Sequence, residues 1–489
     1  MIDFSAEIDE PSLLDPEDWP AFREQAHMAL DQALDFVQQR PQQAVWRELP
    51  DRIKALDQEV PIDGSGMSSV LDEVAEDILP YSLGNTHPRF WGWVNGSGTA
   101  SGLVSQMMIA ALNANLGGRD HAPIYVERQL IRWMHELFGF PLDEASGTVV
   151  TGTSSATLLG LSVARQRATA GEWRKDGNGQ YGLVAYTSAQ SHVSVSKAME
   201  MMGLGSDALR SVPVMDDFSM NCDLLCAMVD EDRRAGLMPF AVVSTVGSVN
   251  TGAIDDLPAI NRLCRESGLW HHVDGAFGAL AILAEQLKPR LDGISSADSI
   301  AFDFHKWLHV GYAAGCLLVR DGEVHRQTFA NSHAHSYLQS EKSGIAGGAP
   351  WPTDYGIDLS RGFSALGAWF QLKEQGVTRL GRAIYRNCLQ AEWLGAAVEQ
   401  DPTLQLMAPV NLNIVCFCFR QPGLTDDELN QLNRRIVVEL QCRGIAAPSV
   451  TELFGCSVIR VCITNHRTRK ADLEALLSAV GELALELLP

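Results

Sequence analysis

The sequence predicts an α/β fold whose large domain contains a largely parallel sheet. Between residues 86 and 375, short apolar runs alternate with stretches of helical periodicity, which is the pattern of strand–helix–strand units. Polar residues that can carry chemistry directly follow several of those runs. Because the carboxyl ends of parallel strands meet at one edge of a sheet, we expect these residues to lie close together.

The individual elements of the large domain follow from composition and spacing. Apolar runs bounded by Gly or polar residues predict strands at 147–151, 182–186, 240–245, 270–273, 300–302 and 316–320. Helical spacing predicts helices between them, at 127–138, 155–167 and 257–267. This order of elements favours a single α/β domain over 86–375.

Two smaller regions flank the large domain. Residues 1–85 have apolar residues at three-to-four spacing and predict amphipathic helices that cannot bury a core alone. Residues 376–489 predict a small α+β domain with two strands and two helices, at 413–419, 458–463, 426–443 and 470–488. Thr425 and Glu428 have the spacing of a capping box at the first of these helices.

Bulk composition excludes several classes of function. The chain has 489 residues and a formal net charge of −22, so it has no excess of basic residues with which to neutralise nucleic-acid phosphates. Its ten cysteines contain no Cys-x-x-Cys pair, which favours buried reduced thiols over a zinc site or disulfides. The acidic N-terminus lacks the apolar stretch of a signal peptide, and no run reaches membrane-spanning length. We therefore expect a cytoplasmic protein without a resident metal.

Lys306 and Asp274 are the strongest chemical signal. Lys306 follows the apolar run 299–302, and Asp274 ends another run thirty-two residues earlier. An amine and a carboxylate at the ends of neighbouring strands can hold pyridoxal 5′-phosphate (PLP), the amine as a Schiff base and the carboxylate on the protonated ring nitrogen. Either residue alone is equally typical of a structural role at a strand end.

Further residues at strand ends are candidates for the same site. Gly152, Thr153 and Ser154 open a helix after a strand, where hydroxyls and backbone N–H groups bind phosphate, although simple capping explains them too. His192 can stack on a cofactor ring, Thr245 can reach cofactor or substrate, and the small Ala276 leaves room for a flat ring. Each has an ordinary structural alternative, and it is their common order along the chain that favours a PLP site.

Several motifs resemble those of the group II PLP-dependent amino acid decarboxylases. These motifs are Asn85–Phe90, His272–Ala276, Asp303–Lys306 and Ser457–Arg460, together with His192. The resemblance covers nearly the whole chain. It implies PLP-dependent transferase fold type I, with a mostly parallel seven-stranded sheet, a small C-terminal domain and an N-terminal segment that helps to form a homodimer.

The resemblance also assigns roles to individual residues. It implies that Lys306 forms the Schiff base, that Asp274 contacts the pyridine nitrogen, and that His192 and Ala276 lie on opposite faces of the ring. Asp303 or His305 would help Thr153 and Ser154 to anchor the phosphate, and Arg460 would lie near the substrate carboxylate. Tyr337, in a long His-, Ser- and Gly-rich stretch, matches the loop tyrosine that protonates the substrate carbon after CO₂ has left.

The implied reaction is decarboxylation of an L-amino acid to its amine. Two alternatives remain open: an aldehyde synthase, which also deaminates oxidatively with O₂, and a non-catalytic PLP-binding paralogue. An aminotransferase is a weaker third. Because aldehyde synthases typically replace the loop Tyr or the stacking His, the presence of Tyr337 and His192 favours simple decarboxylation.

The substrate is not fixed by the sequence. Trp93 matches the segment that lines the side-chain pocket in the resembled family and favours an aromatic over a glutamate-type substrate. The stretch 113–123 is more similar to the glutamate branch, and its Arg119 and His121 are candidates for recognising a polar or acidic side chain. Both interpretations are therefore kept.

Overall fold

The computed structural model describes residues 14–54, 59–179, 181–330 and 340–488. Its contacts divide the chain into two compact units, Met1–Gly84 and Asn85–Pro489. The second unit contains both sheets and all the strand-end residues considered above. None of the described helices is long and apolar enough to cross a membrane.

The large sheet has seven strands in the order β1-β7-β6-β5-β4-β2-β3. The strands are β1 Ser146–Val150, β2 Leu183–Ser188, β3 Leu209–Val212, β4 Met238–Thr245, β5 Trp270–Asp274, β6 Ser299–Asp303 and β7 Gly315–Val319. Strand β7 is antiparallel to both of its neighbours, and the other pairs are parallel. The predicted mostly parallel sheet is thus confirmed.

This topology places the functional candidates along one edge. Strands β1, β2, β4, β5 and β6 all run in the same direction, so their carboxyl ends lie side by side. Thr245 and Asp274 occupy paired positions in the β4–β5 register. Every residue of β2, β5, β6 and β7 is buried, as expected for strands that are covered on both faces.

Helices cover both faces of the sheet. In the second unit they span Ala100–Leu112, Ala122–Phe138, Thr153–Ala168, Trp173–Asp176, Ser194–Met201, Cys222–Arg234, Leu257–Ser267, Phe304–Trp307, Gly322–Phe329 and Ala365–Gln400. The helix Thr153–Ala168 buries eleven of its sixteen residues, polar ones included, which fixes its N-terminus at the sheet edge. Gly376, at the predicted domain boundary, interrupts the last helix with a φ of 71°.

A second, antiparallel sheet lies near the C-terminus, with strand order β10-β11-β9-β8. Its strands are β8 Leu404–Leu406, β9 Ile414–Phe419, β10 Ser449–Leu453 and β11 Cys456–Cys462. The helices Asp426–Cys442 and Lys470–Leu487 accompany it. The capping box at Thr425 and Glu428 is confirmed: the Thr hydroxyl accepts the Glu N–H and the Glu carboxylate accepts the Thr N–H.

The first unit has helices but little core of its own. Its α-helices span Trp19–Gln39, Asp51–Lys54 and Met67–Glu73, followed by a π-helical turn over Val74–Ile78. The helix Trp19–Gln39 contains no buried residue within the described chain. Large apolar side chains of this unit are exposed instead, among them Trp19, Met28, Val60 and Ile62.

The cysteines depart in part from the expectation of buried thiols. All ten are free, and six are buried. Cys226 and Cys442 are exposed, because they lie on the outer faces of the helices Cys222–Arg234 and Asp426–Cys442. Burial raises the pKa of Cys264, Cys316, Cys388 and Cys416, which leaves those thiols protonated and unreactive.

Five histidines of the second unit are kept neutral by burial. Burial lowers the pKa to about 3 in four of them and to about 2 in the fifth: His271, His272, His309 and His325, and then His466. In the unfolded chain each returns to an ordinary pKa of about 6.5. Below that pH the unfolded state binds protons that the folded state does not, so stability falls as the pH decreases from about 6.5 towards 3.

We therefore expect the urea midpoint of unfolding to fall steeply between pH 7 and pH 5. Each neutral histidine costs about 1.4 kcal/mol per pH unit below its unfolded pKa. Three carboxyls oppose the trend: burial raises the pKa of Asp255 to about 6 and also raises those of Asp274 and Asp298. The five histidines outweigh the three carboxyls. Equal urea midpoints at pH 7 and pH 5 would therefore contradict this prediction.

Candidate active site

A cavity of about 320 Å³ opens at the carboxyl edge of the large sheet. Residues from the ends of five strands, and from the segment before the helix Ala100–Leu112, form its wall. Those named by the sequence prediction are Trp93, Gly152, Thr153, Ser154, His192, Thr245, Asp274, Ala276, Asp303, His305 and Lys306. The cavity therefore brings together most of the candidates that the motifs indicated.

Lys306 lies on the first turn after β6, within reach of a buried carboxylate. Its Nζ is 3.0 Å from Asp303 Oδ2, and its side chain is 21% exposed while that of Asp303 is 3% exposed. The other oxygen, Asp303 Oδ1, accepts the backbone N–H of Thr153 at 2.7 Å. One carboxylate thus links the lysine to the helix N-terminus that was predicted to bind phosphate.

The space around Asp303 is too small for a further side chain. A Cβ placed on Gly315 would lie 2.5 Å from the Cα of Gly152 and 2.8 Å from Asp303 Oδ1. His305 packs beside the same carboxylate, with its Nε2 3.7 Å from Asp303 Oδ2, and its Nδ1 accepts the N–H of Ala314 at 3.1 Å. The glycine at the start of β7 is therefore what allows these groups to meet.

Asp274 is a buried carboxylate that no described cation contacts directly. It is 3% exposed, and its Oδ1 accepts the N–H of Ala276 at 3.1 Å. Burial raises the pKa of Asp274, and the nearby positive charge of Lys306 only partly opposes this. A cation placed against Asp274 would stabilise its ionised form.

Two buried hydroxyls at the cavity have no hydrogen-bond partner among the described residues. They are Thr153 Oγ1 and Thr245 Oγ1, and each residue is 6% exposed. An unpaired buried hydroxyl costs free energy, so such groups usually serve a ligand or a water. The site thus offers hydroxyl donors at the start of the helix Thr153–Ala168 and at the end of β4.

His192 and Ser154 lie at the mouth of the cavity and are exposed. The imidazole Nδ1 of His192 accepts the N–H of Ser194 at 3.2 Å and lies 2.8 Å from the Ser194 hydroxyl. Since Nδ1 acts as an acceptor, the ring proton of the neutral form is on Nε2. Ser194 thereby fixes both the orientation and the tautomer of His192.

Arg460 does not line the cavity, but it holds two parts of the wall. Its guanidinium donates to the carbonyl oxygens of Trp93 at 2.9 Å and Asn250 at 3.1 Å. One terminal nitrogen, NH2, is buried without a partner among the described residues. Trp93 itself is 57% exposed at the cavity entrance, and its ring centroid lies 6.3 Å from that of Phe90.

Like Arg460, two further predicted residues of the described chain do not line this cavity. The guanidinium of Arg119 stacks over the Trp351 ring, with 4.6 Å between its Cζ and the ring centroid. His121 precedes the helix Ala122–Phe138 as its N-cap, and neither residue lines the described cavity. Tyr337 lies outside the described residues, so its predicted role as proton donor stays a prediction.

Comparison with known proteins identifies the family of the chain. The family model described as "Pyridoxal-dependent decarboxylase conserved domain" matches residues 50–420.

The chain belongs to the pyridoxal-dependent decarboxylase family.

It is therefore a PLP-dependent carboxy-lyase, and the predicted family is confirmed. An aromatic-L-amino-acid decarboxylase of Bacillus atrophaeus is 30% identical over 471 residues, which cover 95% of each chain. A phenylacetaldehyde synthase of Petunia hybrida is 28% identical, covering 92% of this chain and 91% of its own. Among solved structures, Oryza sativa TDC with PLP and tryptamine superposes with a TM-score of 0.89 at 22% identity, over 97% of this chain and 100% of that one. These comparisons confirm the fold type and the cofactor.

The donor set of the cavity fits the cofactor of this decarboxylase family. PLP carries an anionic phosphate, a ring nitrogen that can be protonated and an aldehyde that reacts with amines. The unpartnered Thr153 hydroxyl suits the phosphate, the buried Asp274 suits a ring cation, and the Lys306 amine suits the aldehyde. The unpartnered Thr245 hydroxyl, paired in register with Asp274, is available to the cofactor or the substrate. The unpartnered hydroxyl, the buried carboxylate and the accessible amine of the described cavity thus each suit a different part of PLP.

Sequence reasoning missed a residue that supports this site from behind. Asp255 is 5% exposed and accepts the backbone N–H groups of Thr245 at 2.7 Å and Met220 at 2.6 Å. Its own N–H donates to the carbonyl of Thr245 at 3.0 Å. Asp255 therefore fixes the main chain that carries the unpartnered hydroxyl. Nine residues of loop lie between it and Thr245, so no strand or helix periodicity indicated it.

Proposed function

We propose that this carboxy-lyase converts an L-amino acid to the corresponding amine and CO₂ in the cavity described above. The observation that carries the proposal is the pairing of a reachable amine, Lys306, with a buried carboxylate that lacks a bonded cation, Asp274. Both lie at the ends of neighbouring strands and line one cavity. The family relationship supports the reaction class, and this geometry supports the proposed residues.

The chain's own residues would hold PLP by complementary charge and shape. Thr153 and Ser154 would donate to the phosphate, Thr245 would reach the cofactor or the substrate, and Ala276 and His192 would lie against the ring. Asp274 would hold a proton on the ring nitrogen, because a buried carboxylate favours a neighbouring cation. The Lys306 amine would attach the aldehyde covalently. When bound, PLP supplies an electron sink that stabilises the carbanion left by departing CO₂.

Asp303 would act indirectly, by positioning the groups that it contacts. Both of its oxygens are occupied, one by the Thr153 N–H and one by Lys306. A carboxylate also repels phosphate, so its contribution is to position the phosphate-binding turn and the amine. His305, packed beside it, supports the same arrangement.

Substrate orientation and proton return would fall to residues at the entrance. Arg460 does not line the cavity, so it would act on the substrate by holding the Trp93 carbonyl and thereby the position of Trp93. His192 Nε2–H is a donor at the mouth of the cavity, since Nδ1 is engaged by Ser194. Tyr337 is the proposed proton donor to the substrate carbon, and His192 assists it.

The walls of the cavity favour an aromatic or large apolar substrate over an acidic one. Trp93, Val94, Val249 and Phe277 line it, and the cationic candidates Arg119 and His121 do not. An acidic side chain would require a cation within hydrogen-bond reach. An aromatic side chain gains by stacking on an exposed ring such as that of Trp93.

The decisive experiment is an amino-acid panel in which four products are measured together. CO₂, amine, ammonia and peroxide would be quantified for aromatic, acidic and basic L-amino acids with PLP-loaded protein. We expect CO₂ and amine in equal amounts, with the highest kcat/KM for an aromatic amino acid. Stoichiometric ammonia and peroxide would instead support the aldehyde synthase alternative, to which the Petunia hybrida relative belongs. A PLP-loaded protein that releases no CO₂ from any amino acid would reject both.

We also propose that the working form is a homodimer. The helix Trp19–Gln39 buries none of its residues within the described chain, and the first unit exposes Trp19, Met28, Val60 and Ile62. Apolar side chains at such density are usually covered in the functional assembly. Sedimentation should give twice the chain mass of 53.4 kDa.

A further inference from the structure

The segment Trp93–Gly98 packs directly against the main chain of the proposed catalytic lysine. Trp93 and Val94 line the cavity. A Cβ placed on Gly96 would lie 1.8 Å from the His305 carbonyl oxygen and 2.8 Å from that of Lys306. The segment and the lysine turn therefore touch without an intervening side chain, so any movement of the segment changes the space in front of Lys306.

A single hydroxyl joins this segment to one buried and one half-buried imidazole. Ser97 Oγ lies 3.2 Å from His309 Nδ1 and 3.0 Å from His466 Nδ1, and the two rings are 4.7 Å apart at 61°. Ser97 and His309 are each 2% exposed. The backbone N–H of His309 donates to the Lys306 carbonyl at 3.3 Å. We call Ser97, His309 and His466 the Ser97 cluster.

The cluster joins three segments that are distant in sequence. Ser97 belongs to the segment Trp93–Gly98, whose Trp93 and Val94 line the cavity, His309 to the turn that follows Lys306, and His466 to the segment after β11. That last segment also holds the wall through its neighbours: Thr464 Oγ1 donates to the Asn95 carbonyl at 2.7 Å, and Arg467 donates to the carbonyls of Ser97 and Gly98 at 3.3 Å each.

The hydrogen bonds of Ser97 restrict where protons can lie in the Ser97 cluster. A hydroxyl has one hydrogen, so Ser97 can hold both ring nitrogens only if at least one Nδ1 carries a proton and donates it. Doubly protonated rings would place two cations side by side, next to Arg467 and close to Arg386, which donates to the His466 carbonyl. Burial lowers the pKa of both imidazoles, so both stay neutral in the folded chain.

We propose that the Ser97 cluster positions the substrate-binding wall, setting Trp93 and Val94 relative to Lys306. The proposal depends on the proposed function, because it takes this cavity as the place where the amino acid binds. Thr153, Thr245 and Asp274, which face the cofactor, lie on other strands. Loss of the cluster is therefore expected to raise KM for the amino acid and to leave kcat and PLP affinity nearly unchanged.

The test compares two substitutions at one position. His466→Ala removes the bond to Ser97, whereas His466→Asn keeps a polar atom where Nδ1 lies. Loss of a buried hydrogen bond costs about 1–3 kcal/mol, so we expect His466→Ala to raise KM about tenfold. His466→Asn should remain within about twofold of the wild type, and Ser97→Ala should raise KM as much as His466→Ala. The double variant should be no worse than either single variant, since both remove the same contact.

The control is Ser101→Ala, which removes a nearby hydroxyl that bonds Thr99 and not the cluster. PLP affinity is measured for every variant by titrating the cofactor-free protein, and melting temperature is measured as well. Unchanged KM in His466→Ala and Ser97→Ala would overturn the proposal. So would equal losses of kcat, KM and PLP affinity in His466→Ala and His466→Asn, which indicate general damage. If the wild type releases no CO₂, the proposed function fails first, and that result is recognisable without any variant.

Discussion

Replacing Lys306 by alanine should abolish sustained decarboxylation, with a loss on the order of 10⁴-fold or more in turnover. Lys306 lines the cavity, and its side chain is 21% exposed, so its amine is accessible to the cofactor aldehyde. Its removal takes away the covalent attachment of PLP and a base that can move protons at the substrate carbon. Steady-state CO₂ release at saturating PLP and amino acid measures the effect.

Two further variants separate the causes of that loss. Lys306→Arg keeps a positive charge near Asp303 but lacks a nucleophilic amine, so it should retain the fold and remain inactive. Lys197→Ala alters an exposed lysine on the helix Ser194–Met201 and should behave as the wild type. Borohydride reduction should fix PLP to the wild type and to Lys197→Ala only. Repeated turnover by Lys306→Ala would remove the basis for the proposed site.

Asp274→Asn should lower kcat by about 10²- to 10³-fold while making the cofactor-free protein more stable. Breaking a buried charge pair costs about 3–5 kcal/mol, and a neutral amide cannot balance a protonated ring. In the cofactor-free protein the same carboxylate is buried without a bonded cation, and burial raises its pKa. Replacing it with an amide of the same shape removes that cost, so stability and activity should change in opposite directions.

Melting temperatures with and without PLP, together with kcat, check this prediction. Asp256→Asn is the matched control, because Asp256 is exposed and caps the helix Leu257–Ser267, a role that asparagine fills equally well. Asp274→Asn should melt at a higher temperature than the wild type without PLP and gain less from adding it. A cofactor-free Asp274→Asn protein that melts below the wild type would argue that Asp274 serves the fold alone.

Much of the fold was predictable because the large sheet is buried on both faces. Strands such as β5 and β6 are continuous apolar runs, and their polar ends are therefore conspicuous in the sequence. The strands that escaped prediction are short or alternate in burial. They are β3, β8 and β10, of which β8 has three residues and β10 alternates between buried and exposed positions.

The site was predictable where strand direction alone brings residues together. Thr245 and Asp274 are paired in the β4–β5 register, so their proximity follows from the topology. Contacts made by loops across the fold were not predictable. Ser97 meets His466 across 369 positions of sequence, and no spacing or periodicity reports such a contact. Arg119 and His121 are a second example. Their residue types suggested a binding role, but they do not line the described cavity.

The order of strands in the large sheet has a consequence for synthesis on the ribosome. Strand β1 pairs with β7 alone, and Asp303, which receives the N–H of Thr153, lies 150 positions later in the chain. The turn proposed to bind phosphate is thus translated long before Asp303, which accepts its N–H. A nascent chain that ends before β7 lacks the pairing partner of strand β1. We therefore expect a chain truncated before β7 not to bind PLP.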